Sequence, residues 1–215
     1  MSLPGVQHPE DAAMNLASPP LSRRERNKRA KLDRITAAAS ALFAEHGIDD
    51  VTTQQIADAA DIGTGTLFLY VKTKGELLLL VQNTHYARAL EEGIAAAATH
   101  EDVLDAVMAV LQPIVECNRV QVENGRTYLR EMVFGDPTEP QRATALAIVG
   151  QTEAAVMAIL TRGETTPRTT AATVAHVISA VMFLEMSAST NSSTPTTELV
   201  SRIRRQVQVA ITRCE

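Results

Sequence analysis

With 215 residues, the chain is long enough for one large domain or two small ones. Apolar residues make up 45% of it, but aromatics only 3% and tryptophan is absent. The core must therefore be aliphatic, and its Ala-rich periodic segments favour helix over strand. The net charge of −5 argues against nucleic-acid binding by the chain as a whole. The lack of an uncharged apolar run of about 18 residues, or of a signal-peptide-like start, points away from a membrane protein and towards a cytoplasmic one.

The charge is unevenly placed. Residues 22–34, SRRERNKRAKLDR, hold seven Lys/Arg against two acids, and no lysine follows Lys74. A locally basic end on an acidic body is the footprint of a DNA-binding head. The five histidines are scattered, with no HxxxH or CxxC spacing, so no metal or cofactor is expected. Cys117 and Cys214 read as two unconnected thiols, with a redox switch as the alternative. The GTGT run from Gly63 lacks the Lys-Ser/Thr ending and the preceding strand of a phosphate-binding loop. No triad or paired-acid motif is visible, and the chain reads as a non-enzyme.

In chain order, residues 1–21 carry four prolines and no periodicity, and read as a disordered tail. Ser22 and Glu25 have capping-box spacing, and an amphipathic stripe then runs through Leu32, Ile35, Ala39, Leu42 and Phe43 to a C-cap at Gly47. The basic residues around the start of this helix are candidates for phosphate contact. Thr52 and Gln55 open a second helix over about 53–60, with Ile56 and Ala60 on one face. Asp61-Ile62-Gly63 forms a turn, with Ile62 buried and Gly63 capping the next helix or supplying a positive φ. A short helix follows from Thr64 to about Val71. Thr73 and Glu76 open a long one with Leu77, Leu80, Val81 and Thr84 on one side. Two short helices across a tight turn, packed on a third, are the grammar of a helix-turn-helix.

Beyond Thr73 the pattern is helical throughout. A connector helix runs to about Ala98. The next carries Val103, Val107, Val110, Leu111 and Ile114, with Pro113 expected to kink or split it. A short helix spans Arg126–Phe134, and Thr138 with Gln141 caps one holding Leu146, Val149, Val156 and Leu160. Arg119, Arg126 and Arg130 are placed to pair with Glu116 and Glu123 at helical spacing, or to meet an acidic ligand. Thr166-Pro167 and Thr194-Pro195 open the last two helices. Their wide apolar stripes suit a four-helix interface between two copies, or packing within one chain.

Arg34 to Val81 resembles the N-terminal domain of TetR-family transcriptional regulators. The matching elements are RITAAASALFAEHGIDDVTTQQIADAA and the turn segment DIGTGTLFLYVKTKGELL. The sequence departs from that pattern at Gly63 (usually serine), Thr64, Leu69, Val71 and Lys72. The resemblance implies an all-α protein: a three-helix helix-turn-helix DNA-binding domain over 22–72, then a larger helical effector-binding and dimerisation domain over 73–215. It implies contact with double-stranded DNA through Arg34, Thr52, Gln54, Thr64, Gly65, Thr66, Leu69, Tyr70 and Lys74. The recognition helix lacks Arg, Lys, Asn and Gln, so bidentate base contacts are absent and phosphate contacts and DNA shape must carry more of the recognition. A small-molecule pocket is implied among His85, Tyr86, Met108, Leu111, Tyr128, Met132, Phe134, Met157 and Phe183. A homodimer interface is implied through Val174, Ile178, Val181, Ile203, Val207 and Ile211. The function so implied is a ligand-responsive regulator that binds a palindromic operator, most simply a repressor released by a small molecule. The alternative is a helical adaptor that uses the helix-turn-helix for protein contacts.

Overall fold

A computed structural model describes residues 22–163 and 166–212; the expected disordered tail and Cys214 lie outside the described residues. Among those described, the fold is all-α, with no strand. The head comprises α1 (Arg23–His46), α2 (Thr53–Ala59) and α3 (Thr64–Leu67). The body comprises α4 (Lys74–Ala97), α5 (Val103–Arg119), α6 (Val122–Phe134), α7 (Pro140–Leu160), α8 (Arg168–Ser187) and α9 (Thr196–Thr212), with a 3-10 turn at Ser189–Asn191.

Local capping sets most of these starts. Ser22 and Glu25, and again Thr52 and Gln55, form complete reciprocal capping boxes. At α4 the reciprocal half is diverted. Thr73 accepts from the Glu76 amide at 3.0 Å, but the Glu76 carboxylate accepts from the Lys72 amide at 2.6 Å. The start of α7 shifts by one residue from its expected place. Thr138 turns back onto Asp136 Oδ1, and Glu139 becomes the N-cap, accepting from the Arg142 amide at 2.7 Å. Pro140 at the first helical position fixes that start, because its missing N–H costs nothing there.

α5 runs unbroken through Pro113, so of the expected kink or split the split does not occur. Proline removes the bond to the carbonyl of Ala109, and α4 presents Gly93 at that spot. A Cβ at Gly93 would lie 2.9 Å from the Ala109 oxygen and 2.8 Å from that of Val110. Close backbone approach by α4 thus covers the irregularity.

Arg119 does not pair with Glu116. It is buried and donates to the carbonyls of Asn191, Ser192 and Thr194 at 3.1, 3.3 and 2.7 Å, closing the turn between α8 and α9. Arg126 does meet Glu123, at 2.9 Å. Glu185, buried on α8, is held by Arg202 and Gln206 of α9 and by Asn191. α7 and α8 reach the length and hydropathy of a membrane span, at 1.6 and 1.4. Each nevertheless carries a paired carboxylate: Glu153 with His176 towards the surface, and the buried Glu185 with Arg202.

Head and body share one continuous core, from Ile35, Phe43, Ile56 and Leu67 through Leu77 and Leu78 to Val107, Leu111, Ile178, Leu199 and Ile203. One side chain of α6 also fastens them. Asn124 is buried, accepts from the Ile48 amide at 2.7 Å and donates to the Phe43 carbonyl at 2.7 Å. It thereby holds both sides of the α1 exit, where Gly47 takes φ +78°. Replacing Asn124 by Ala leaves a buried donor without a partner and is expected to cost about 1–3 kcal/mol. Urea unfolding measures this; an unchanged midpoint would mean that the amide does not hold the head.

Candidate functional site

The head presents one element outward. The turn after α2 is closed by Asp61 N–H to Asp58 O (3.1 Å) and Ile62 N–H to Ala57 O (3.0 Å). The positive φ falls on Asp61 (53°) and not on Gly63, whose φ of −71° makes it an ordinary N-cap. Aspartate tolerates the left-handed region, and Arg34 lies 3.6 Å from its carboxylate. The helix expected over Thr64–Val71 is shorter. It is α-helical only to Leu67; beyond it, Leu69 and Tyr70 bond back three residues, to Thr66 O (3.1 Å) and Leu67 O (2.9 Å). Burial of Leu67 and Val71 on the head core tightens the turn and throws Phe68 and Leu69 outward, 49% and 81% exposed.

The residues expected at DNA fall into two groups. Gly65, Thr66, Leu69 and Tyr70 lie on the outward element. A Cβ at Gly63 or Gly65 would meet nothing within 4 Å, so the fold itself does not require either glycine. The others are already engaged. Thr64 Oγ1 donates to Gln54 Oε1 at 2.5 Å, and Gln54 Nε2 donates to Asp58 at 2.7 Å. Thr52 is the α2 cap, and Arg34 meets Asp61. The Lys74 ammonium donates to the carbonyls of Val51 (3.0 Å) and Asp49 (3.5 Å), leaving one of its three donors. Phe68, outside the expected set, also faces outward, because the helix stops at Leu67.

In the body, a cavity of about 240 Å³ lies between α4, α5, α6, α7 and α8. Of the residues expected around a ligand, Tyr86, Tyr128, Met132 and Phe183 line it. Met108 and Leu111 are buried but do not line it, and His85 and Phe134 are exposed. Met157 borders a separate pocket with Thr161 and Arg168. The other wall residues, Ile114, Leu129, Ala145, Thr152, Met182 and Met186 among them, are not in the expected set. Met182 and Met186 continue the α8 stripe of Ile178 at four-residue spacing, and that is the signal that would have found them.

The tyrosine rings stack, with centroids 4.4 Å apart and planes at 22°. The Tyr86 hydroxyl accepts from Asn118 at 2.7 Å, and the Tyr128 hydroxyl donates to Asn83 at 2.9 Å. Burial raises both phenols well above their usual range, with Cys117 adding to the shift. Both therefore stay neutral. The walls are otherwise almost wholly apolar; charge appears in the His176–Glu153 pair, 3.0 Å apart, whose histidine is exposed. Such a cavity can hold an apolar, uncharged molecule and gives a buried charge no partner.

Val174, Ile178, Ile203, Val207 and Ile211, expected between two copies, are buried within this chain, and Val181 is half-buried. The apolar side chains left outward on the last two helices are Val177, Leu184 and Val209.

The comparisons bear on both halves. Residues 35–81 match the family described as bacterial regulatory proteins, tetR family. A TetR transcriptional regulator from Rhodococcus sp. RHA1 is 19% identical, over 86% of this chain and 96% of that one, with a TM-score of 0.67. FadR of Thermus thermophilus, a TetR-family repressor crystallised with lauroyl-CoA, is 18% identical over 84% and 93%, with a TM-score of 0.64. RolR in complex with resorcinol is 16% identical over 90% and 96%, also with a TM-score of 0.64. At these identities the likeness carries the fold. No curated protein matches the chain.

Burial holds the Cys117 thiol at about 11, opposed by Arg88 and aided by Glu92. The thiol is thus expected to stay protonated near neutrality and to react with a disulfide reagent far more slowly than the denatured chain. Equal rates before and after denaturation would restore the redox alternative.

Proposed function

We propose that the chain is a TetR-like DNA-binding transcription regulator and not an enzyme, a homodimeric repressor that binds a palindromic operator and is released by an apolar small molecule. The observation that carries this reading is the outward element at Gly65–Tyr70. It carries Gly65, beside which a side chain would have open space, and an 81%-exposed Leu69 that no described residue covers. With no long polar side chain to reach bases, close backbone approach at Gly65 and methyl contacts from Thr66 and Leu69 supply the direct readout.

One such element touches few base pairs, and a two-fold pair about 34 Å apart gives a far more selective site. Val177, Val181 and Leu184 follow one another at i, i+4 and i+7 on α8. With Val209 of α9, they are the surface we assign to the second copy, in place of the inward stripe.

The body cavity is the effector site in this reading. FadR with lauroyl-CoA and RolR with resorcinol support a ligand-binding body while differing in ligand. The apolar walls here favour an uncharged apolar molecule, and the volume favours a small one. The route to the head is short. Tyr128, Leu129 and Met132 line the cavity from α6, and Asn124 lies one turn before Tyr128 on the same helix. A ligand that binds the DNA-free arrangement more tightly, by about 1–3 kcal/mol, suffices to shift the equilibrium.

Gly65→Leu is expected to leave thermal stability unchanged or raised and to weaken binding to the intergenic DNA beside the chain's own gene by about tenfold or more, ~1.4 kcal/mol, read by fluorescence anisotropy. Undiminished binding would move the contact elsewhere. No binding by the unaltered dimer would favour the adaptor. For the cavity, the neutral dye N-phenyl-1-naphthylamine is expected to gain fluorescence with the unaltered chain. The gain should be lost with Ala145→Leu, whose added carbons fill the space; equal uptake by that variant would contradict the assignment.

A further inference from the structure

The α1 helix begins well before the part of the chain that matches the family, which starts at residue 35. From Arg23 to Lys31, about two and a half turns, every residue is exposed and none enters the core. This extension is held by its Ser22–Glu25 cap and by continuity with the buried turns from Ile35 onward.

Its charge works against its own stability. Arg23 and Arg24 sit in the first turn, where the helix dipole disfavours cations, and Arg24 and Lys28 repel at i, i+4. Three helical arginines of the body are matched within one turn, Arg88 with Glu92, Arg126 with Glu123 and Arg202 with Glu198. The exposed Arg168 and Arg205 are in no ion pair among the described residues, but they stand far apart, whereas the α1 cations are clustered. Here no ion pair joins Arg23, Arg24, Lys28 or Lys31 to a carboxylate among the described residues. The nearby Glu25 carboxylate is taken by the Ser22 amide at 2.8 Å. A merely solvated face does not require such an arrangement; a polyanionic partner compensates for it.

The face also has a facing wall. Arg23, Arg24, Asn27, Lys28 and Lys31 line one side of an open groove of about 770 Å³, and Thr66, Leu69 and Tyr70 of the outward element line the other. We propose that this groove holds the sugar-phosphate backbone of the DNA duplex next to the major groove entered by Gly65–Tyr70. The four cations take the phosphates, and Leu69 and Tyr70 pack on the deoxyriboses. From Arg23 to Lys31 the helix rises about 12 Å, enough for roughly three phosphates of one strand at about 3.4 Å of duplex axis each. The proposal rests on the DNA-binding reading of the head and enlarges its contact from a four-residue helix to a two-walled cradle.

The test compares the unaltered full-length chain with Arg23→Ala/Arg24→Ala/Lys28→Ala/Lys31→Ala. Alanine preserves α1, and circular dichroism checks this. A control, Arg88→Ala/Arg130→Ala/Arg168→Ala/Arg205→Ala, removes the same charge from the body. The probe is a fluorescein-labelled duplex of mixed sequence about three helical turns long, titrated at several salt concentrations. The extension variant is expected to lose about three units per protomer from the slope of log K against log salt, with affinity falling alike on every sequence, while the control keeps most of its slope. An unchanged slope in the folded extension variant, or an equal loss in both variants, overturns the proposal and leaves the regulator reading intact. Absence of salt-dependent binding by the unaltered chain overturns both.

Discussion

Everything proposed for the head depends on one buried amide. Asn124 takes the Ile48 N–H and the Phe43 carbonyl at the point where α1 ends and the chain turns towards α2. The Phe43 carbonyl also accepts the Gly47 N–H, but the buried Ile48 N–H has Asn124 as its partner, and leaving it unpaired is costly. The bond also fixes α6 to the head, and α6 is a wall of the body cavity. A single rigid helix thus touches the ligand space on one turn and the DNA-binding unit on the previous one. Shifts in a packed helix are transmitted and not absorbed, because cores are dense.

The outward element is the converse case. Its anchors are Leu67 and Val71, both buried, and Phe68 and Leu69 between them are spared from packing. Freed from structural duty, Gly65, Thr66 and Leu69 can be chosen for a partner. The residues behind them cannot: Thr64, Gln54 and Asp58 form one chain of side-chain bonds, and Lys74 steadies the loop before α2. Positioning and contact are therefore divided between different residues of one short motif. The basic extension of α1 adds what the motif lacks, which is charge.

How far this was legible in the sequence follows from the range of the interactions. The caps at Ser22 and Thr52 act over three residues and could be read directly. The cap at α4 was only half legible, because Glu76 chose the Lys72 amide, and that of α7 was displaced by Pro140. The recognition helix was read as too long because its last turn is set by burial of Val71 against distant residues. An amphipathic stripe tells which face is apolar but not which chain covers it. Ile203 and Val207 were thus assigned to a second copy, whereas they fill this chain's own core. Asn83, Asn118 and Asn124 gave no local signal, since an asparagine in a helix looks like a surface residue until its partners, 32 to 81 positions away, are known. The cavity was half legible for the same reason: Tyr86, Tyr128, Met132 and Phe183 stand out as large apolar side chains, but which helix faces converge on one space, as with Ala145 and Met182, is set by packing between distant residues.

The central claim is that two copies of this head read one piece of DNA. Selection of bound duplexes from a random pool by the purified chain tests it most directly. The account predicts enrichment of an inverted repeat whose half-sites lie about one helical turn, or a multiple of it, apart, with A·T-rich or deformable steps between or beside them. Enrichment of an isolated half-site, or of no sequence at all, would contradict it.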